Sequence, residues 1–148
     1  MADTRAELIA RLEKTAGPNL ELESAIYFET AASDHIKAFH ARQPGGQSFT
    51  QTLAALGIVP PRYTSSLDAA MTLSEWAIPG KYRPFVQVEF YANGRANCGI
   101  SPWWKKTRDD EIWSREQATA PLAICIAMFK AAEVERALRA AAKDAGHA

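Results

Sequence analysis

Apolar residues recur at helical spacing near the start of the chain. The segment 4–7, Thr-Arg-Ala-Glu, is a capping-box pattern ahead of a first helix, and Gly17-Pro18 ends that helix because proline cannot continue it. Asn19 is a suitable N-cap for a second helix with Leu22 and Ile26 on its inward face. The pattern therefore predicts two helices before residue 31.

Residues 31–62 carry two further helix starts. Ser33 is the predicted N-cap of one helix and Ser48 that of a shorter one, with the breaker Pro44-Gly45-Gly46 between them. The stretch is therefore predicted to be helical. It either completes the core of a single domain spanning residues 1–148 or stands beside it as a helical insertion.

The segment 85–100 has the alternation of a β-hairpin. Val86, Val88 and Phe90 take one side of its first strand, and polar or aromatic residues take the other. Asn93-Gly94 suits a tight turn that requires a positive φ. The residues after this turn are predicted to return as the partner strand.

Helix starts also flank the hairpin. Ser65 is a predicted N-cap before it, and Thr119 is another after it, with Pro121 in the first turn and an apolar run over residues 122–129. This order of elements predicts an α+β fold, with helices packed on a small antiparallel sheet that contains the 85–100 hairpin.

Three segments resemble the phage ABA sandwich proteins, a family of small proteins from bacteriophage and prophage genomes. They are residues 7–13 with the stop at Gly17-Pro18, residues 63–70 and residues 118–127. The resemblance implies a layered α/β/α sandwich and a viral accessory role. The family offers no established catalytic residues to carry over. Its members place aromatic strands before the central motif, whereas residues 31–57 here have a helical pattern.

The composition of the chain limits the classes of function that it can have. Hydrophobic residues make up 47% of the 148 residues, as expected of a globular chain. Lys plus Arg and Asp plus Glu number 17 each, so the formal net charge is zero. A general nucleic-acid binder usually has a basic excess, so nucleic acid is a disfavoured partner. Neutrality also removes one barrier to self-association.

The chain has two cysteines, Cys98 and Cys125, and no CxxC pattern. We predict two reduced, buried thiols and no zinc site. The longest apolar stretch, residues 121–129, is too short to cross a bilayer. The sequence therefore predicts a soluble, cytoplasmic protein without a membrane partner.

Trp103-Trp104-Lys105-Lys106 is the most suggestive local motif. Two aromatic rings beside two lysines could stack a base and hold a phosphate. The alternative is that one tryptophan packs in the core and the other covers the sheet edge, while the lysines prevent other strands from pairing with that edge. We favour the second interpretation.

Arginines next to aromatic residues or turns form a second candidate site. If Arg62, Arg83 and Arg95 converge with Lys105, they could bind a nucleotide or another phosphate. Arg62-Tyr63 and Tyr82-Arg83 are aromatic–cation pairs next to loops. Scattered surface arginines are the commoner outcome.

Motifs for catalysis and metal binding are missing from the sequence. It has no G-x-S-x-G elbow and no glycine-rich phosphate loop. His35 and His40 are five residues apart, a poor spacing for a helical metal pair, and His147 lies in the tail. Residues 109–111, Asp-Asp-Glu, are interpreted as a solvated loop. We predict no cofactor, no metal and no assignable catalytic residue.

The leading hypothesis is a phage or prophage accessory protein that binds a host protein as a counter-defence inhibitor. Trp103, Trp104 and Trp113 are its candidate interface aromatics. The alternatives are a protein that binds or sequesters a small nucleotide and a cryptic hydrolase. In each case a homo-oligomer could form through Val134 and Leu138 of the final helix.

Overall fold

The computed structural model describes residues 4–80 and 83–146. The helices are α1 (Arg5–Glu13), α2 (Leu20–Thr30), α3 (Asp34–Ala41), α4 (Phe49–Ala55), α5 (Leu67–Met71), α6 (Leu73–Ala77) and α7 (Ala120–Ala145). The strands are β1 (Phe85–Phe90), β2 (Ala96–Ser101) and β3 (Ile112–Gln117), with a 3-10 turn at Arg108–Asp110. The predicted α+β fold is confirmed. No helix in the described ranges is long and apolar enough to cross a bilayer.

The sheet is an antiparallel meander in the order β1-β2-β3. The predicted hairpin is present, with Phe85 opposite Ser101 at one end and Phe90 opposite Ala96 at the other. At its turn the Tyr91 N–H donates to the Arg95 carbonyl at 2.9 Å. Gly94 takes φ +87, so the loop is a turn followed by one left-handed residue, a common three-residue hairpin connection.

Helix α7 is the middle layer of the fold. Every residue from Leu122 to Phe129 is buried. One side of α7 packs on β2 and β3, and the other side packs on α1, α5 and α6. The layers therefore run sheet, α7, remaining helices, which differs from the α/β/α order that the family resemblance implied. A helix that is apolar all round needs cover on both sides, so it occupies the centre.

The helix starts follow the caps read from the sequence. Side-chain N-caps are confirmed at Thr4, Asn19, Ser33, Ser48 and Thr119. The start predicted at Ser65 was wrong by one residue. Ser66 is the cap, and its hydroxyl accepts from the Ala69 N–H at 3.2 Å. Ser65 belongs to the preceding turn, where its N–H donates to the Arg62 carbonyl at 3.1 Å.

Residues 31–62 contain α3 and α4, as the helical pattern predicts. Helix α3 has no buried residue, whereas α4 buries Thr52 and Leu53. Helix α4 packs on α2, and Leu53 lies outside the main core cluster. The segment therefore flanks the core through α2, and its origin as an insertion stays a prediction.

Strand β3 was not predicted. Its sequence, Ile-Trp-Ser-Arg-Glu-Gln, lacks simple alternation because a bulge interrupts its pairing with β2 between Ala96 and Cys98. Ser114 faces α7 and its hydroxyl donates to the Ala123 carbonyl. Tertiary contact with α7, and not local pattern, therefore supports this strand.

A buried hydrogen-bond cluster ties α2 to the segment before α5. The Thr64 N–H and hydroxyl donate to the Glu23 carboxylate at 3.1 and 2.9 Å. The same hydroxyl accepts from the Asn19 N–H at 2.9 Å. The Cys125 thiol contacts the Tyr63 carbonyl at 3.2 Å. Residues 63–64 therefore connect α2 with α7.

Thr64→Val should destabilise the protein by about 1–3 kcal/mol, because it removes the hydroxyl and leaves buried Glu23 and the Asn19 N–H short of a partner. Urea unfolding measures this loss. Thr15→Val is the matched control, since the Thr15 hydroxyl bonds only the Arg11 carbonyl at an exposed site. It should change stability by less than about 0.5 kcal/mol. Equal effects of the two variants would contradict the structural role of Thr64.

Candidate functional site

One sheet face packs on α7, and no helix of the described residues packs closely on the other, which we call the open face. Side chains alternate along each strand, so the register assigns the residues of this face. They are Phe85, Gln87, Glu89 and Tyr91 from β1 and its end, Asn97, Gly99 and Ser101 from β2, and Trp113 and Arg115 from β3.

Trp113 lies flat on the backbone of Gly99. A Cβ atom added at Gly99 would approach the indole ring to 2.6 Å, so only glycine leaves room for the ring. The Arg115 guanidinium sits 4.5 Å from the Trp113 ring centroid on the exposed side. The half-buried ring is therefore held between the sheet backbone and a cation.

The loop between β2 and β3 joins this face at one end of the sheet. Trp103 is 60% exposed, whereas Trp104 packs against the core. Their rings meet edge to face at 5.3 Å. Trp104 is thus half-buried against the core and Trp103 is exposed, which agrees with the core-packing part of the favoured interpretation. Trp104 and the half-buried Trp113 are less exposed than the sequence suggested.

Glu111 links the loop to the open face. Its carboxylate accepts from Lys105 Nζ at 2.6 Å and from Trp113 Nε1 at 3.1 Å. These two donors stabilise the ionised carboxylate and hold the pKa of Glu111 below its ordinary value. The Lys105 charge therefore already has a partner, the Glu111 carboxylate, at the protein surface.

Asp110 organises the same loop. Its carboxylate accepts from the backbone N–H groups of Lys106 and Thr107 at 2.9 and 3.1 Å. These bonds lower the pKa of Asp110. Asp110 and Glu111 thus point to different partners, and the segment interpreted as a solvated loop is a hydrogen-bonded 3-10 turn.

Side chains hold the bulge of β3 at the other end of the open face. Glu116 adopts φ +54, and its N–H donates to Asn97 Oδ1 at 2.7 Å. Its carbonyl accepts from Arg95 Nη1 at 2.7 Å. Asn97 also donates to the Tyr91 hydroxyl at 2.7 Å. Arg95 therefore has a structural partner, and the sequence held no signal for it.

The structure separates Arg95 from Lys105, so the four predicted cations do not all share one pocket. Arg95 lies at the hairpin, and six residues of β2, roughly 20 Å, separate it from the Trp103–Lys105 loop. Arg83 pairs with Glu75 of α6 at 3.3 Å. Arg62 is exposed in the turn before α5. Tyr82 and His147 lie outside the described residues.

A second region is a cavity of about 520 Å³ between α2 and the α3–α4 segment. Phe28, His40 and Phe49 meet edge to face in its wall. His40 Nδ1 is 2.6 Å from the buried Thr52 hydroxyl, which also accepts from Gln47 Nε2 at 3.1 Å. Sequence reasoning considered His40 only as a metal ligand and missed this cavity.

Neither thiol nor metal chemistry has a site among the described residues. Cys98 and Cys125 are free and buried, as predicted. Burial raises the pKa of Cys98 to about 12 and raises that of Cys125 as well, so neither is a thiolate at neutral pH. In residues 4–80 and 83–146, no three His, Cys, Asp or Glu side chains are grouped to hold a metal ion.

Comparison of the chain with protein-family models, curated proteins and solved structures finds no match. The resemblance to phage ABA sandwich proteins therefore stays a prediction from the sequence segments that carry it.

Gly99→Ala should displace Trp113 and destabilise the protein by roughly 1–3 kcal/mol, because the new methyl group overlaps the indole ring. Urea unfolding and the Trp113 indole NMR signal report the two effects. Gly17→Ala is the control, since nothing lies within 4 Å of a Cβ atom there. An unmoved Trp113 signal in Gly99→Ala would refute the close packing.

The Trp113 indole N–H signal should shift in acid. The folded pKa of Glu111 is lowered, so its stabilising contact is present above the ordinary pKa of 4.5 and is lost as pH falls through the lower folded value. Glu111→Gln should abolish this titration, whereas Asp109→Asn, at an exposed neighbour, should keep it. A titration that persists in Glu111→Gln would show that another group is responsible.

Proposed function

We propose that this protein is a phage or prophage accessory protein that binds a host protein through the open face and Trp103. One observation carries the proposal. Phe85, Tyr91 and Trp103 are 69%, 44% and 60% exposed on or beside a sheet face that no described helix covers. Aromatic side chains are enriched at protein interfaces and supply most hot spots.

Two side chains of the open face are already held by contacts within the protein, which favours binding. Trp113 is held between Gly99 and Arg115. Asn97 is buried and fully engaged by Tyr91 and the β3 bulge. A surface whose side chains are already ordered loses little conformational entropy when a partner binds.

The charges of this region favour a protein over a nucleic acid. Lys105 pairs with Glu111 and Arg83 pairs with Glu75. Arg95 bonds the β3 bulge. Three cations that could contact phosphates thus each have a partner within the protein, although the Arg83–Glu75 pair is fully at the surface, and the chain has no net positive charge. A partner that contributes apolar and mixed polar groups fits this surface better.

The viral and counter-defence parts of the proposal are supported by the sequence resemblance to phage ABA sandwich proteins. A small protein with an exposed aromatic face suits inhibition by occlusion. In this role the open face would cover the working surface of a host defence protein.

The cavity between α2 and α4 favours a second candidate function, the binding of a small ligand. Its volume of about 520 Å³ lies within the range of ligand pockets. Phe28 and Phe49 offer aromatic contacts, and His40 and Gln47 offer polar ones. This site differs from the Trp103–Lys105 motif that the sequence suggested for a nucleotide.

Purification from a bacterial host, followed by native mass spectrometry, tests both candidates. The wild type should retain a host polypeptide in fixed stoichiometry. The double variant Phe85→Ser/Trp103→Ser should weaken this complex by roughly 30-fold or more, about 2 kcal/mol, with little loss of thermal stability.

Val59→Ser is the matched control, because Val59 is 82% exposed and lies outside the open face. Equal loss in this control, or full retention by the double variant, would rule against the open face as the binding surface. A retained small molecule that is lost in His40→Ala would favour the cavity instead.

A further inference from the structure

Strand β1 is an unpaired edge of the sheet. The Tyr91 N–H donates to the Arg95 carbonyl, so the antiparallel pattern turns the backbone groups of residues 85, 87 and 89 toward β2. The N–H and C=O groups of Val86, Val88 and Phe90 therefore point away from the sheet. No loop or side chain among the described residues forms a hydrogen bond with them.

The two edges of the sheet differ in protection. Strand β3 carries Arg115, Glu116 and a bulge, which are features that prevent edge pairing. Strand β1 pairs with β2 without a bulge and has one charged residue, Glu89. Phe85 and Phe90 are each 69% exposed on it. Strand β1 thus lacks the common barriers to pairing with another strand.

We propose that β1 pairs with β1 of a second copy of this chain in antiparallel orientation. The two-fold axis passes midway between the two Val88 residues, so that Val88 faces Val88 of the second copy. Val86 then faces Phe90 of the second copy on the α7 side. The outward N–H and C=O groups of Val86, Val88 and Phe90 then all form hydrogen bonds with the second copy, and two three-stranded sheets become one sheet of six strands.

The open-face side chains complement one another in this register. Gln87 faces Glu89 of the second copy, so its amide can donate to that carboxylate. Phe85 faces Tyr91 of the second copy, an aromatic pair of the kind that stabilises neighbouring strands. Each contact occurs twice because the interface is symmetric.

Neighbouring registers are worse for specific reasons. A shift of two residues in one direction places Glu89 opposite Glu89 of the second copy, where like charges repel. A shift in the other direction places Pro84, which has no N–H, opposite Phe90 of the second copy. A shift of one residue places residues whose backbone groups point outward opposite residues whose groups already bond β2, so the hydrogen bonds between the two copies cannot form. The sequence of β1 therefore specifies one pairing with itself.

The dimer extends the open face. The two-fold axis is perpendicular to the sheet, so both open faces lie on the same side and form one continuous surface. The inference stands on the edge strand alone and does not rest on the proposed host-protein binding.

Mixed-chain cross-linking tests the register. Gln87 and Glu89 of the second copy form a non-hydrogen-bonded pair with Cα atoms roughly 4.5 Å apart, within the range for a disulfide. Under oxidation, a mixture of Gln87→Cys and Glu89→Cys chains should give one cross-linked heterodimer, and neither variant alone should. Val59→Cys reports random collisions, and Cys98 and Cys125 are buried. Cross-linking no greater than in Val59→Cys would overturn the register.

Sedimentation measures the assembly itself. The wild type should approach twice the 16.2 kDa chain mass as concentration rises. Gln87→Glu should raise the dissociation constant roughly tenfold, because it creates two like-charge pairs with Glu89. Gln87→Glu/Glu89→Gln should restore dimerisation.

Two results would overturn the proposal: a monomer at every concentration, or a dimer that Gln87→Glu leaves intact and Leu138→Lys on α7 breaks. A monomer that still retains the host polypeptide would refute only the dimer. A dimer without a host partner would refute only host-protein binding.

Discussion

Burial of the first half of α7 on two sides is the constraint on which the fold depends. The residues from Leu122 to Phe129 form a continuous apolar cylinder, and water must be excluded from all of it. The sheet covers one side, while α1, α5 and α6 cover the other. Neither layer contacts the other extensively except through this helix. Because α7 packs on one sheet face, mainly over β2 and β3, the opposite face is left available for a partner.

Polar side chains then fix the geometry that apolar burial leaves undetermined. Thr64 bonds Glu23 and so sets the position of α2 relative to the segment before α5. Asn97 fulfils the same role in the sheet, where it joins Tyr91 to the β3 bulge. These groups are buried, so a lost bond is costly and the arrangement is specific. The position of Tyr91 on the open face follows from this second set of interactions.

The open face, the β1 edge and the α2–α4 cavity differ in shape and chemistry, so they would suit different partners. The open face is broad and aromatic, which suits a protein surface. The edge offers backbone groups and suits another strand. The cavity is concave and lined by Phe28, His40 and Phe49, which suits a small molecule. Pairing of two β1 edges would enlarge the open face without closing the cavity, so the first two surfaces can act together.

The sequence alone determined what depends on neighbouring residues. Caps such as Thr4, Asn19 and Ser48 accept hydrogen bonds from backbone groups within one helical turn, and Gly94 supplies the positive φ of its own turn. The caps and the turn can therefore be predicted from neighbouring residues in the sequence. Only the tertiary structure decided the order of the layers and the formation of strand β3. It also decided that Trp113 packs on Gly99 and that Arg95 donates to the Glu116 carbonyl. Each of these joins groups that are distant in sequence, and residue type and spacing do not identify such a partner.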